Sequence, residues 1–144
     1  MVNTILVGTD GSEAAKRAAE FALDDARAND AKLIIVYVIE WSRYDFLTPE
    51  ELEGRGKVKK QEVEKAQSKI LDPLLASLNT DGVSIETIIR HGHPTRTLDK
   101  IARDLNVDQI FVGRQGQSRI ERALFGSVAS NLVQIAPVPV TVVP

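Results

Sequence analysis

The sequence contains no cysteine among its 144 residues. Without thiols there is no disulfide framework, no zinc–thiolate site and no cysteine nucleophile. This absence fits a reducing compartment, and the amino-terminal segment lacks the basic start and apolar run of a signal peptide, so we expect a cytoplasmic protein. No stretch approaches the roughly 20 apolar residues that a membrane span needs.

A large excess of either charge is also missing, because the formal net charge is −2. The chain therefore has no overall field that would draw it to nucleic acid or to an anionic membrane, and we expect neither partner. The basic run at residues 55–60 is flanked by glutamates, which is typical of a solvated helix face. Any nucleotide site must be local.

The sequence lacks the common catalytic motifs: it has no G-x-S-x-G, no H-E-x-x-H and no P-loop. Its two histidines, His91 and His93, have no evident third ligand, so we expect no metal site there. We therefore expect no catalytic residues. Slow ATP hydrolysis or self-phosphorylation, for instance at Ser118 or Ser127, stays open as an alternative.

Segments with strand and helix patterns alternate along the whole chain. Hydrophobic residues make up 43% and charged residues 26%, as in one globular domain over residues 1–144. The alternation predicts an α/β fold with a parallel sheet and helices on both faces. We expect this sheet to be doubly wound and five-stranded, in the order 3-2-1-4-5. The predicted strands are 4–9, 32–40, 83–89, 108–113 and 137–143, the helices 13–28, 57–78, 94–105 and 128–135, and 41–56 is an irregular excursion.

Two of the predicted strand ends carry polar or glycine-rich segments. Gly8-Thr9-Asp10-Gly11-Ser12 ends the first strand, and a loop that begins at Gly113 follows the fourth. In the predicted order these strands are neighbours, so both ends open into one crevice. Ligands of open α/β sheets bind in such a crevice.

The loop after the fourth strand has a regular glycine spacing. Gly113 and Gly116 are followed, after nine residues, by Gly126 and Ser127, which precede a predicted helix. Glycine lets the backbone approach an anion closely, and the amides at a helix N-terminus bind phosphate. The pattern predicts a phosphate site, although the spacing is not that of the G-x-G-x-x-G dinucleotide fingerprint.

This G-2x-G-9x-G-[ST] pattern resembles the ATP-binding motif of the universal stress proteins. The first strand that ends in Asp-Gly-Ser, the Gly92-His93-Pro94 turn and the closing strand also resemble that family, so the similarity covers essentially the whole chain. The sequence departs from the family's usual residues at Arg114, Gln115 and Ala129.

The resemblance implies bound ATP, or ADP or AMP, with Mg²⁺ as a further ligand. It implies that Asp10 lies near the ribose or a phosphate-bound metal and that the main chain of Val38 contacts the adenine edge. It places Val112 and Gly113 beside the nucleoside. The remaining residues that it assigns to the site are Thr9, Gln115, Gly116, Gly126, Ser127, Val128 and Ala129.

The resemblance also implies a stress-response regulator that nucleotide controls, and a homodimer formed through the strand from Val138 to Val143, with an unidentified protein partner. The alternatives are a dimeric scaffold that works without nucleotide and a slow ATPase. Trp41, Tyr44 and Phe46 form either a lid over the adenine or a cap on the core.

Overall fold

The computed structural model describes residues 3–40, 49–115 (with side chains from residue 56) and 127–144. Strands and helices alternate, as the sequence predicts. The elements are β1 (Thr4–Thr9), α1 (Glu13–Asn29), β2 (Lys32–Glu40), α2 (Pro49–Ala66), a π-helical turn (Gln67–Leu71), α3 (Asp72–Ser77), β3 (Ile85–Gly92), α4 (Pro94–Asp104), β4 (Gln109–Gly113), α5 (Ser127–Ile135) and β5 (Val140–Val143).

The five strands form one parallel sheet in the order β3-β2-β1-β4-β5, which confirms the predicted fold class and strand order. The central strand β1 pairs with β2 on one side and with β4 on the other. Strands β3 and β5 are the edges. Of the helices that the structure describes, none is both long enough and apolar enough to cross a membrane.

Successive residues of the central strands point into two separate cores. Ile5 and Val7 of β1 pack with α1 and α3, whereas Leu6 packs with α4 and α5. On the first face, α1 presents alanines, whose small side chains let the helix lie close to the sheet. They are Ala15, Ala18, Ala19, Ala22 and Ala26.

The long helical segment after β2 differs from the prediction. The helix begins at Pro49, so residues 49–56, predicted to be irregular, are helical. Proline has no amide hydrogen and a fixed φ, which suits the first turn of a helix. The glycines at positions 54 and 56 do not break it.

Further along, the same helix contains a π-helical turn, Gln67–Leu71. The amide of Asp72 donates to the carbonyl of Gln67, five residues earlier, in place of the usual four. Pro73 follows directly and has no amide hydrogen to offer the preceding turn, which is a known cause of such local rearrangement.

Two strand boundaries also differ from the prediction. Strand β3 spans Ile85–Gly92 where 83–89 was predicted, so His91 lies within the sheet. Strand β5 starts at Val140, after the two prolines of the predicted segment, although the carbonyl of Pro139 still accepts from the Ile110 amide at 3.0 Å. Helix α5 begins at Ser127, one residue before the predicted start.

Candidate functional site

The carboxyl ends of β1 and β4 meet at the point where the chain's crossovers leave the sheet in opposite directions. Val7 of β1 lies opposite Phe111 of β4, and continuing this register brings Thr9 beside Gly113. On the other side, Thr9 pairs with Tyr37, the residue before Val38. The strand ends that the sequence singled out are therefore neighbours at the switch point of the sheet.

The turn between β1 and α1 is built by its own side chains. The amide of Ser12 donates to Oδ1 of Asp10 at 3.0 Å, and the Gly11 amide donates to Oγ1 of Thr9 at 3.2 Å. Gly11 adopts a φ of +83°, which favours glycine. Ser12 caps α1 by accepting from the Ala15 amide at 3.1 Å. Asp10 thus has a structural role at the position where a ligand role was predicted.

Four of the predicted site residues lie on one side of the sheet, in or against one core. Val38, Val112, Val128 and Ala129 all belong to the apolar cluster between the sheet and helices α4 and α5. Val112 and Ala129 are buried, whereas Val38 and Val128 are partly exposed at its margin. The side chain of Ala129 is therefore part of the core, and only its backbone is available to a ligand.

Ser127 is exposed and is the first residue of α5, so its backbone amide lies in the first turn of that helix. Gln115 is exposed at the end of the segment that follows β4. Gly116 and Gly126 lie outside the described residues, as do the aromatic residues of the predicted lid, Trp41, Tyr44 and Phe46.

Gly113 has a packing role that sequence analysis did not predict. A Cβ atom added to it would lie 2.9 Å from the carbonyl carbon of Ala14 and 2.9 Å from the nitrogen of Ala15. Both atoms are backbone, so they cannot rotate away. The end of β4 therefore contacts the first turn of α1 directly, and this contact requires glycine whether or not an anion binds.

Tyr37 is a polar residue of this region that sequence analysis missed. Burial raises the pKa of its phenol above the ordinary value of 10.0, and the carboxylates of Asp10 and Glu40 raise it further. Tyr37 pairs with Thr9, the residue before Asp10, so the two side chains leave neighbouring strands at the carboxyl end of the sheet. The one available signal was position, since Tyr37 directly precedes Val38.

The two histidines face different partners. Nε2 of His91 lies 3.0 Å from Oε2 of Glu62 on α2, whereas Nδ1 of His93 accepts from the Arg96 amide at 3.4 Å and caps α4. Within the described ranges no cluster of three or more His, Cys, Asp or Glu side chains is arranged to hold a metal ion.

Comparison with known proteins gives a consistent result. The model of the universal stress protein family matches residues 1–144. The chain is 31% identical over 150 residues to universal stress protein YxiE of Bacillus subtilis, and the match covers 99% of each chain.

Solved structures of that family are also similar. Universal stress protein UspA from Lactobacillus plantarum superposes with a TM-score of 0.82 at 26% identity, covering 99% of this chain and 97% of that one. A universal stress protein in complex with cAMP gives a TM-score of 0.68 at 28% identity, with the same coverage of 99% and 97%.

The close contact at Gly113 leads to a stability prediction. Gly113→Ala should lower the free energy of unfolding by about 1–3 kcal/mol, because the added methyl group overpacks a backbone contact. Gly56→Ala is the matched control: its Cβ meets nothing within 4 Å. In a helix it should stabilise by up to about 1 kcal/mol. Urea denaturation measures both, and a Gly113→Ala variant as stable as the native chain would contradict the packing role.

The proximity of Tyr37 and Asp10 leads to a spectroscopic prediction. In a Tyr44→Phe background, Tyr37 is the sole tyrosine. Its pKa, followed by tyrosinate absorbance, should lie above the ordinary value, and Asp10→Asn should lower it without restoring that value, since burial is the larger cause. Asp24→Asn, on the exposed face of α1, serves as the control. A pKa that is unchanged by Asp10→Asn would show that the two groups do not interact.

Proposed function

Because the chain belongs to the universal stress protein family, we propose that it binds an adenine nucleotide in the crevice where β1 and β4 end. The ligand is ATP, or ADP or AMP, with Mg²⁺ accompanying the phosphates. The chain acts as a single nucleotide-binding domain over residues 1–144, in the cytoplasm, as a stress-response regulator whose partner contacts depend on bound nucleotide.

The observation that carries the proposal is the adjacency of β1 and β4 at the switch point of the sheet. Open α/β sheets bind ligands in that crevice because the loops from the two strands separate there. Asp10 and Gly113 stand at these two strand ends. The related protein in complex with cAMP supports a nucleotide as the ligand.

The proposed site divides into an apolar part and an anion-binding part. The partly exposed Val38 supplies the apolar wall for the base, and its main chain meets the edge of the base, while the backbone of Val112 lies beside the nucleoside. The phosphates lie at the N-terminus of α5, where the first amides of a helix have no partner within it and the helix dipole favours negative charge. That helix begins at Ser127.

We further propose that the chain forms a homodimer through its β5 edge. Residues 127–144, which form α5 and β5, contain no charged residue, whereas the opposite edge strand β3 carries exposed Glu86 and Arg90. Natural edge strands are usually protected by charge. The strand best suited to an uncharged β5 is β5 of a second copy, because this pairing buries no charge.

The anion site can be tested by reversing its charge. Ser127→Asp places a carboxylate in the first turn of α5, where it suits the helix dipole but competes with phosphate for the same amides. We expect Mg-ATP affinity in calorimetric titration to fall at least about tenfold, with an unchanged melting temperature, and AMP affinity to fall less. Ser127→Asn, neutral and of similar size to aspartate, should bind as the native chain does.

The native protein must first be shown to bind. Mass spectrometry of small molecules released from freshly purified protein should detect an adenine nucleotide, and titration of the stripped protein should release heat. If neither ATP nor AMP binds, the nucleotide proposal is wrong, and a dimeric scaffold that works without nucleotide becomes the better hypothesis.

The dimer has its own test. The carbonyls of Pro139 and Val143 accept from the amides of Ile110 and Arg114, so the backbone groups of Val140 and Val142 point to the open edge. Val142→Pro removes an outward amide and leaves the pairing with β4 intact, so sedimentation should change from dimer to monomer. Val142→Thr keeps the amide and should stay dimeric. A proline variant that remains dimeric would place the interface elsewhere.

A further inference from the structure

Thr95 is a buried polar residue at the start of α4. The residue is 3% exposed, and none of the hydrogen bonds among the described residues involves its hydroxyl. Over those same residues, no fully enclosed side-chain oxygen or nitrogen lacks a partner. The Thr95 oxygen therefore keeps some solvent-accessible surface, although the rest of the side chain is buried.

The neighbours of Thr95 locate that surface. Thr95 lies on the buried face of α4, together with Leu98 and Ile101. The methyl groups of Leu98 lie over Gly8 of β1, because a Cβ added to Gly8 would be 3.0 Å from Leu98 Cδ1, and this same position is 3.6 Å from Val112 Cγ1 of β4. Leu98 of α4 and Val112 of β4 thus both approach the same position over β1, near the switch point.

Helix α4 begins just after the carboxyl end of β3 and runs back along the sheet. Thr95 precedes Leu98 by three residues, which is about 4.5 Å of helix rise. It therefore lies on the same helix face but nearer the carboxyl ends of β1 and β4. This places it on the wall of the crevice in which the proposed nucleotide binds.

We propose that Thr95 determines base specificity, with its hydroxyl accepting a hydrogen bond from the exocyclic amine of adenine. This inference rests on the proposed function. Leu98 and Val112 belong to one apolar cluster, and the partly exposed Val38 packs against it. Such a surface suits a flat, uncharged ring, whereas phosphates need the amides at the start of α5.

The expected selectivity has an energetic reason, which is that the Thr95 hydroxyl has no hydrogen-bond partner among the described residues. A polar group among apolar side chains gains from a ligand that bonds to it, and a ligand without the matching group leaves it unsatisfied on binding. Sites built in this way reject the analogue that lacks the hydrogen-bonding group. Thr95 can therefore contribute selectivity in addition to affinity.

The experiment compares AMP with purine riboside 5′-monophosphate, which lacks the exocyclic amine, by calorimetric titration. The native chain should bind AMP about five- to tenfold more tightly than the analogue, which is the ratio expected from the net free energy of one hydrogen bond. Thr95→Val, which is isosteric, should abolish this preference by weakening AMP binding and strengthening the binding of the analogue. Thr95→Ser keeps the hydroxyl and should retain the preference.

Urea denaturation and the measured preference for AMP together distinguish a failure of the Thr95 proposal from a failure of the nucleotide proposal. Because no hydrogen bond is lost in the free protein, Thr95→Val should unfold at the same urea concentration as the native chain or at a higher one. If the native chain binds AMP and the valine variant keeps the preference for AMP, the role of Thr95 is refuted while the nucleotide site stands. If the native chain binds neither ligand, both proposals fail.

Discussion

The burial of β1 on both of its faces is the constraint from which the rest of the architecture follows. Ile5 and Val7 anchor the helices of one layer, and Leu6 anchors those of the other. A strand with no solvated face must lie in the middle of the sheet, with a covered neighbour on each side. The helices on the two faces of the sheet diverge at the carboxyl end of β1. Both cores fix the position of this strand end and of the polar residues that follow Thr9.

The sequence was most informative where burial alone decides the structure. Strands β1 and β2 were predicted with their observed bounds because a strand covered on both faces is a continuous apolar run with sharp limits. It was least informative at residues 49–56, where proline and glycine were interpreted as signals of irregular structure. A helix tolerates proline in its first turn. Composition alone does not distinguish a proline in that position from one in an irregular segment.

The candidate site could be predicted in part for the same reason. The alternation of elements indicates a parallel sheet, and once β1 and β4 are expected to be neighbours, the proximity of their carboxyl ends at Thr9 and Gly113 can be anticipated. The packing of Gly113 against Ala14 could not, because the contact joins an end of β4 to a helix almost a hundred residues earlier. Tyr37 and Thr95 were missed because their significance depends on which groups the folded chain brings near them, and neither belongs to a recognisable motif.

The π-helical turn at Gln67–Leu71 changes the direction in which the side chains after it point, relative to those before it. An extra residue in one turn rotates everything beyond it by about 100° relative to a regular helix. Leu71 and Leu74 can thereby face the core while Glu62, on the other side of the turn, meets His91 at the sheet's edge. If the same residues formed a regular α-helix, the surface beyond residue 67 would be rotated by about 100°, and the helix could not satisfy the core and the edge of the sheet at once. A chain with one residue fewer between these points could satisfy both with a regular helix.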